Sequence, residues 1–149
     1  MPQPNPITIR YLINQFEAIA IAGGSIKTFF QGPKFDVDEN VKNFPALVCD
    51  SESYNPNFPD YPQTVEFSFL IMLIDLVNED LTNENDVCSR CATMIDEFIS
   101  AVNKFTRDEN QLWSISRVQG RQKILDATTT IVAGWVIELF IVAPFANCS

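Results

Sequence analysis

The residues in this chain with the most chemical potential are Cys88-Ser89-Arg90-Cys91, a CxxC pair. In a reducing compartment that spacing suggests a redox dithiol or half of a zinc site. A redox pair sits at a helix N-terminus beside a strand, and this one lies near a helix start, but without flanking aromatic and proline signals. Zinc needs four ligands, and the other two cysteines, Cys49 and Cys148, are isolated. The alternative is that Cys88 and Cys91 are small core residues on an apolar helical stripe, and the reading favours it. Asp36-Val37-Asp38-Glu39-Asn40 resembles the opening of a calcium loop. That template wants Gly at position six and Glu at position twelve, where Val41 and Leu47 stand, so a solvated acidic loop is expected. Asp75, Glu79 and Asp80 fall in a polar, turn-like segment with no pocket evident. Arg117, Arg121 and Lys123 form the one basic cluster, suited to acidic residues of a neighbouring copy as much as to phosphate.

Histidine is absent from all 149 residues. That removes Ser-His-Asp triads, Cys-His pairs and imidazole metal sites. No GxGxxG, phosphate-binding loop or GxSxG occurs either. No catalytic residue, cofactor or metal is therefore assigned, and a non-enzyme is expected. The net charge of −9 argues against a protein gripping nucleic acid across a broad face. It leaves room for one that surrounds DNA without gripping it.

The elements that would position these residues follow from periodicity. Residues 1–6 alternate with proline and read as an extended arm. Asn5 and Pro6 suit a helix start, and Ile9, Leu12, Ile13, Phe16, Ile19 and Ala20 follow at helical spacing up to Gly23-Gly24. Strands are expected at 25–31 and 46–52. Residues 53–63, with Pro56, Pro59 and Pro62 between Tyr54, Phe58 and Tyr61, are expected as a contact loop outside any sheet, because proline removes backbone donors. A strand at 64–77, a helix at 85–105 capped by Asn83 or Asn85, a strand or hairpin arm from 111 to 125 with a turn or bulge at Gln119-Gly120, and a last strand at 129–143 complete the chain. The order is α-β-β-β-α-β-β, an α+β fold with a mostly antiparallel sheet and two helices on one face.

Two strands carry more apolar surface than one core needs. The 64–77 strand presents Val65, Phe67, Phe69, Ile71 and Leu73 on one side, and Leu70, Met72, Ile74 and Leu76 on the other. The last strand presents Val136 and Phe140 opposite its Ile137, Leu139 and Ile141 face. A two-layer domain covers one sheet face, so the second needs more of this chain or another chain. The expected subunit interface is thus Leu70, Met72, Ile74, Leu76, Val136 and Phe140, with Tyr54, Phe58 and Tyr61 from the proline-rich loop.

The organisation resembles a known family. A long N-terminal helix ends in Gly-Gly; Phe44-Pro45-Ala46-Leu47-Val48 forms a strand; a long apolar strand runs into Ile74-Asp75-Leu76-Val77-Asn78 and a helix; Ala133-Gly134-Trp135 opens a final strand ending at Pro144. Across roughly residues 7–144 this is similar to the tail-completion (tail-terminator) and neck-ring proteins of tailed bacteriophages. The resemblance implies a virion protein, made in the host bacterial cytoplasm, that forms a ring at the neck or tail. The ring is a hexamer, or else a dodecamer, contacting portal, connector or tail-tube proteins while double-stranded DNA passes through its centre. It implies no catalytic site. The expected layout is an arm at 1–6, one ring-forming domain at 7–144 and a tail at 145–149. A lumen lined by carboxylates would repel phosphate, so Asp36, Asp38, Glu39, Asp75, Glu79 and Asp80 are the candidate lumen residues. The competing class is a small cytosolic binding module using Cys88 and Cys91 for metal or thiol chemistry. No signal peptide is read at the N-terminus, and the apolar stretch 131–146 is broken by Glu138 and Pro144, so no membrane span is expected.

Overall fold

A computed structural model of the chain describes residues 7–32, 43–57, 64–78, 80–126 and 131–144; at 51–57, 121 and 126 the description covers backbone only. The elements are α1 (Ile9–Ala22), β1 (Thr28–Gln31), β2 (Ala46–Asn57), β3 (Thr64–Leu76), α2 (Glu84–Asp108), β4 (Ser114–Asp126) and β5 (Val132–Pro144). The expected α-β-β-β-α-β-β order and α+β class hold. Five strands form one sheet in the order β1-β2-β3-β5-β4. β1 runs parallel to β2, and every other pairing is antiparallel.

Helix α1 starts later than the Asn-Pro signal suggests. Its cap is Thr8, whose extended backbone lets the hydroxyl accept from the Tyr11 N–H at 3.1 Å. Ile7, just before it, is buried in the core, which fixes the entry of the chain. Asn5 and Pro6 lie outside the described residues. At the other end Gly24 takes φ +82°, a conformation that disfavours side chains. Leu12, Ile13, Phe16 and Ala20 recur at helical spacing and are buried. In α2 the same role falls to Val87, Cys88, Cys91, Ile95, Phe98 and Val102. Asn83 caps α2 by position only; its side-chain Oδ1 accepts instead from the Asn78 N–H at 2.8 Å, tying down the β3–α2 turn.

Both helices cover one sheet face. Phe16 is the hub of that core, with edge contacts to Phe69, Phe98 and Trp113 at 5.1, 6.0 and 6.1 Å between ring centres. Such pairs add about 0.5–1.5 kcal/mol each beyond burial. Below them lie Phe67, Phe69, Ile71 and Leu73 of β3 and Ile137, Leu139 and Ile141 of β5.

Two expectations are corrected. Residues 53–57 are not outside the sheet: β2 continues to Asn57, with Pro56 opposite Val65 and a bulge between Ser51 and Ser53. β1 ends opposite Cys49, so from Asp50 onward no described strand flanks that side of β2. A proline is tolerated on such an edge. The second correction concerns the far sheet face. At one end the chain buries it by itself: Ala46, Val48, Met72, Ile74 and Val132 form a small second core, edged by Phe30, Phe44, Ile124 and Val136. The expected double burial of the second half of β3 is therefore met within one chain.

The β4 strand is irregular. One bulge falls between Gln119 and Gln122, as the Gln119-Gly120 pair suggests, with Gly120 at φ +69°. A second lies between Ile115 and Arg117. No helix among the described residues is long and apolar enough to cross a membrane.

Candidate interaction surface

The sheet face away from the helices is best read as rows across the strands. In the apolar end, Val48, Met72, Val136 and Gln122 form one row. The next is Asp50, Leu70, Glu138 and Gln119; beyond it Ser68, Phe140 and Arg117 align, then Glu66 with Val142. The face thus grades from apolar to polar over a few residues.

The polar end closes on itself. Arg117 lays its guanidinium over the Phe140 ring, 4.0 Å from the centroid, and donates to Glu66 Oε1 at 3.4 Å. The Ser116 hydroxyl bonds Glu66 Oε2 and the Phe140 carbonyl. Lys123 similarly pairs with Glu84 of α2 at 3.5 Å. Two of the three residues of the basic cluster are therefore paired within the chain. The third, Arg121, lies in the β4 bulge, where only backbone is described.

The expected interface residues divide. Met72 (5% exposed), Ile74 (1%) and Phe140 (6%) are buried in the single chain and have little surface to offer, because the second core and Arg117 cover them. Leu70 and Val136 are half-buried. Leu76 is 48% exposed at the end of β3, on the far face with its partner Val132; Leu125, 45% exposed near the end of β4, pairs with Ala133 and so lies on the opposite, helix-covered side. Leu81, 40% exposed, sits in the β3–α2 turn at φ +62°. Tyr54 belongs to β2, not a loop, with only its backbone described; Phe58 and Tyr61 lie outside the described residues.

The candidate lumen carboxylates also separate. Asp75 faces the helix layer, bonding Arg90 at 3.2 Å with only 14% of its side chain exposed. Asp80 is exposed and accepts from the Thr82 hydroxyl and N–H, which hold its carboxyl below the usual range. Asp36, Asp38, Glu39 and Glu79 lie outside the described residues.

Cys49, Cys88 and Cys91 are free and buried. Burial pushes the Cys49 and Cys91 thiols up to about 12 and raises Cys88 as well. The Cys91 Sγ lies 3.7 Å from the Ala133 carbonyl, and the Trp135 indole donates to the Cys88 carbonyl at 2.8 Å. Protonated thiols inside a core are poor nucleophiles and poor ligands. Among the described residues no group of three Cys, Asp or Glu side chains is placed to hold a metal. A shallow cleft of about 500 Å³ lies between α2 and the starts of β1 and β2, lined by Ser25, Pro45, Ser89, Thr93 and the Arg90–Asp75 pair. Its one guanidinium is already neutralised.

The cross-strand rows were not readable from sequence. Alternation places Glu66, Leu70 and Glu138 on outward positions, but which residues become neighbours depends on register and on the two β4 bulges. Against known proteins, the chain matches no family model, and no curated protein matches it significantly.

Proposed function

We propose that this chain is a structural virion protein of a tailed bacteriophage, forming an oligomeric ring at the neck or top of the tail. The ring terminates or joins the tail and lets double-stranded DNA pass through its centre. The family resemblance described above motivates the reading. The observation that carries it is the apolar surface left at the edge of the second core, where Leu76, 48% exposed, continues the Met72–Ile74 face beside half-buried Val136. A ring contact would remove these side chains from water. Full burial of one leucine is worth about 1.5–3 kcal/mol, so half-exposed Leu76 with Val136 adds materially to a larger contact. The subunit is a hexamer or dodecamer component, with portal, connector or tail-tube proteins as its neighbours.

A net charge of −9 suits a conduit, since a negative wall repels phosphate. Asp80 is the described carboxylate best placed for that role, joined by Asp36, Asp38, Glu39 and Glu79; Asp75 is already neutralised by Arg90. Sedimentation of the wild type and of Leu76→Arg tests the contact. The wild type should sediment as a ring and the variant as a folded monomer. A variant that keeps the wild-type mass would remove Leu76 from the interface. An image of the ring with Asp80 on its outer wall would end the lumen assignment.

A further inference from the structure

On the sheet face away from the helices, Leu70 lies between two carboxylates, Asp50 on β2 and Glu138 on β5, each its direct cross-strand neighbour. Strands lie about 4.8 Å apart, so the two acidic Cα atoms stand about 10 Å apart with the leucine between them. Both carboxylates are half-buried. Neither makes a hydrogen bond or ion pair among the described residues. The adjoining rows show how the chain handles the same composition elsewhere: Arg117 lies flat over Phe140 and bonds Glu66. The Leu70 row has the apolar seat and twice the acid, but no cation among the described side chains.

We infer that this row is a docking site for an apolar segment of a different protein that presents an arginine, seated over Leu70 between Asp50 and Glu138. Arginine suits it better than lysine, because a planar guanidinium can lie on an apolar side chain while forking toward carboxylates on both sides. Half-buried Val136 in the next row extends the seat for an aliphatic neighbour of that arginine. A second copy of this chain fits poorly. Stacking two such faces would oppose four carboxylates, and like charges directly opposite are destabilising. Arg117 and Lys123, two of the three residues of the basic cluster, are already bonded to Glu66 and Glu84. The inference is independent of ring formation.

Synthetic peptides provide the test: an alternating Leu/Arg ten-mer, and the same peptide with every arginine replaced by lysine or by glutamate. Each is titrated into the full-length protein while backbone amide shifts are followed by NMR. The arginine peptide should shift amides near Asp50, Leu70 and Glu138 and bind more tightly than the lysine peptide. Asp50→Asn/Glu138→Gln should weaken it at least tenfold. Asp96→Asn/Glu97→Gln, which removes the same charge from α2, should change binding less than twofold. Equal binding of the glutamate peptide, equal loss in the α2 variant, or shifts centred elsewhere would overturn the site. So would self-association of the wild type abolished by Asp50→Asn/Glu138→Gln, because a second copy would then be the occupant.

Discussion

Replacing Gly134 with alanine should destabilise the protein, although glycine in a strand interior ordinarily costs stability relative to alanine. Gly134 sits in β5 opposite Ile74 of β3, and its φ is not positive. On backbone conformation alone the substitution should therefore stabilise by several tenths of a kcal/mol. The surroundings reverse the sign. A Cβ there would lie 1.8 Å from the Leu73 carbonyl oxygen and 2.8 Å from its carbon. Both are backbone atoms of the central strand, so no side chain can swing aside. Relief requires β3 and β5 to part by more than 1 Å (roughly the shortfall from ordinary contact) within a thirteen-residue ladder. Overpacking of this kind costs about 1–3 kcal/mol and occasionally more. Taking about 3 kcal/mol, the melting temperature of a domain this size should fall by about 6–12 °C. Urea unfolding followed by circular dichroism measures the change, provided the wild type and variant share an m-value. A variant as stable as wild type, or more stable, would refute the close approach of β3 to β5 and with it the register drawn here.

Other outcomes follow from the same structure. Phe16→Ala removes the ring that touches three other aromatics at zero exposure and should cost about 3–5 kcal/mol by denaturant unfolding. Thr8→Ala should cost about 1 kcal/mol, and Thr8→Ser much less, because the hydroxyl is the α1 cap. Cys49 and Cys91 should resist thiol reagents at pH 8 until the protein unfolds, so rapid native labelling would contradict their burial. Their folded thiols titrate near 12, above the unfolded value near 9. Their contribution is therefore whole below pH 9 and declines as pH rises toward 12, an alkaline loss that Cys49→Ala should lessen.

Much of the fold was legible because the periodicities are strong. Phe16 and its neighbours mark α1, the Val87–Phe98 stripe marks α2, and alternation in β3 and β5 marks a sheet with a second apolar face. The elements that escaped did so for identifiable reasons. Pro56 reads as a breaker, yet the short β1 leaves it on an edge where a missing donor matters little. Thr8 displaced Asn5 as the helix cap because burial of Ile7 sets where the helix begins. The candidate surface was less legible. Met72, Ile74 and Phe140 look like surplus apolar surface in one dimension, but the second core and the Arg117 guanidinium absorb them. Leu70 remains between two carboxylates with no partner among the described residues, an arrangement that only strand register brings together.

The central claim, a ring-forming subunit, is tested most directly by the mass and image of the purified full-length protein. The account predicts six or twelve copies by native mass spectrometry at micromolar concentration, with particles showing a central opening by electron microscopy. A monomer that remains monomeric when mixed with portal, connector or tail-tube proteins would contradict it.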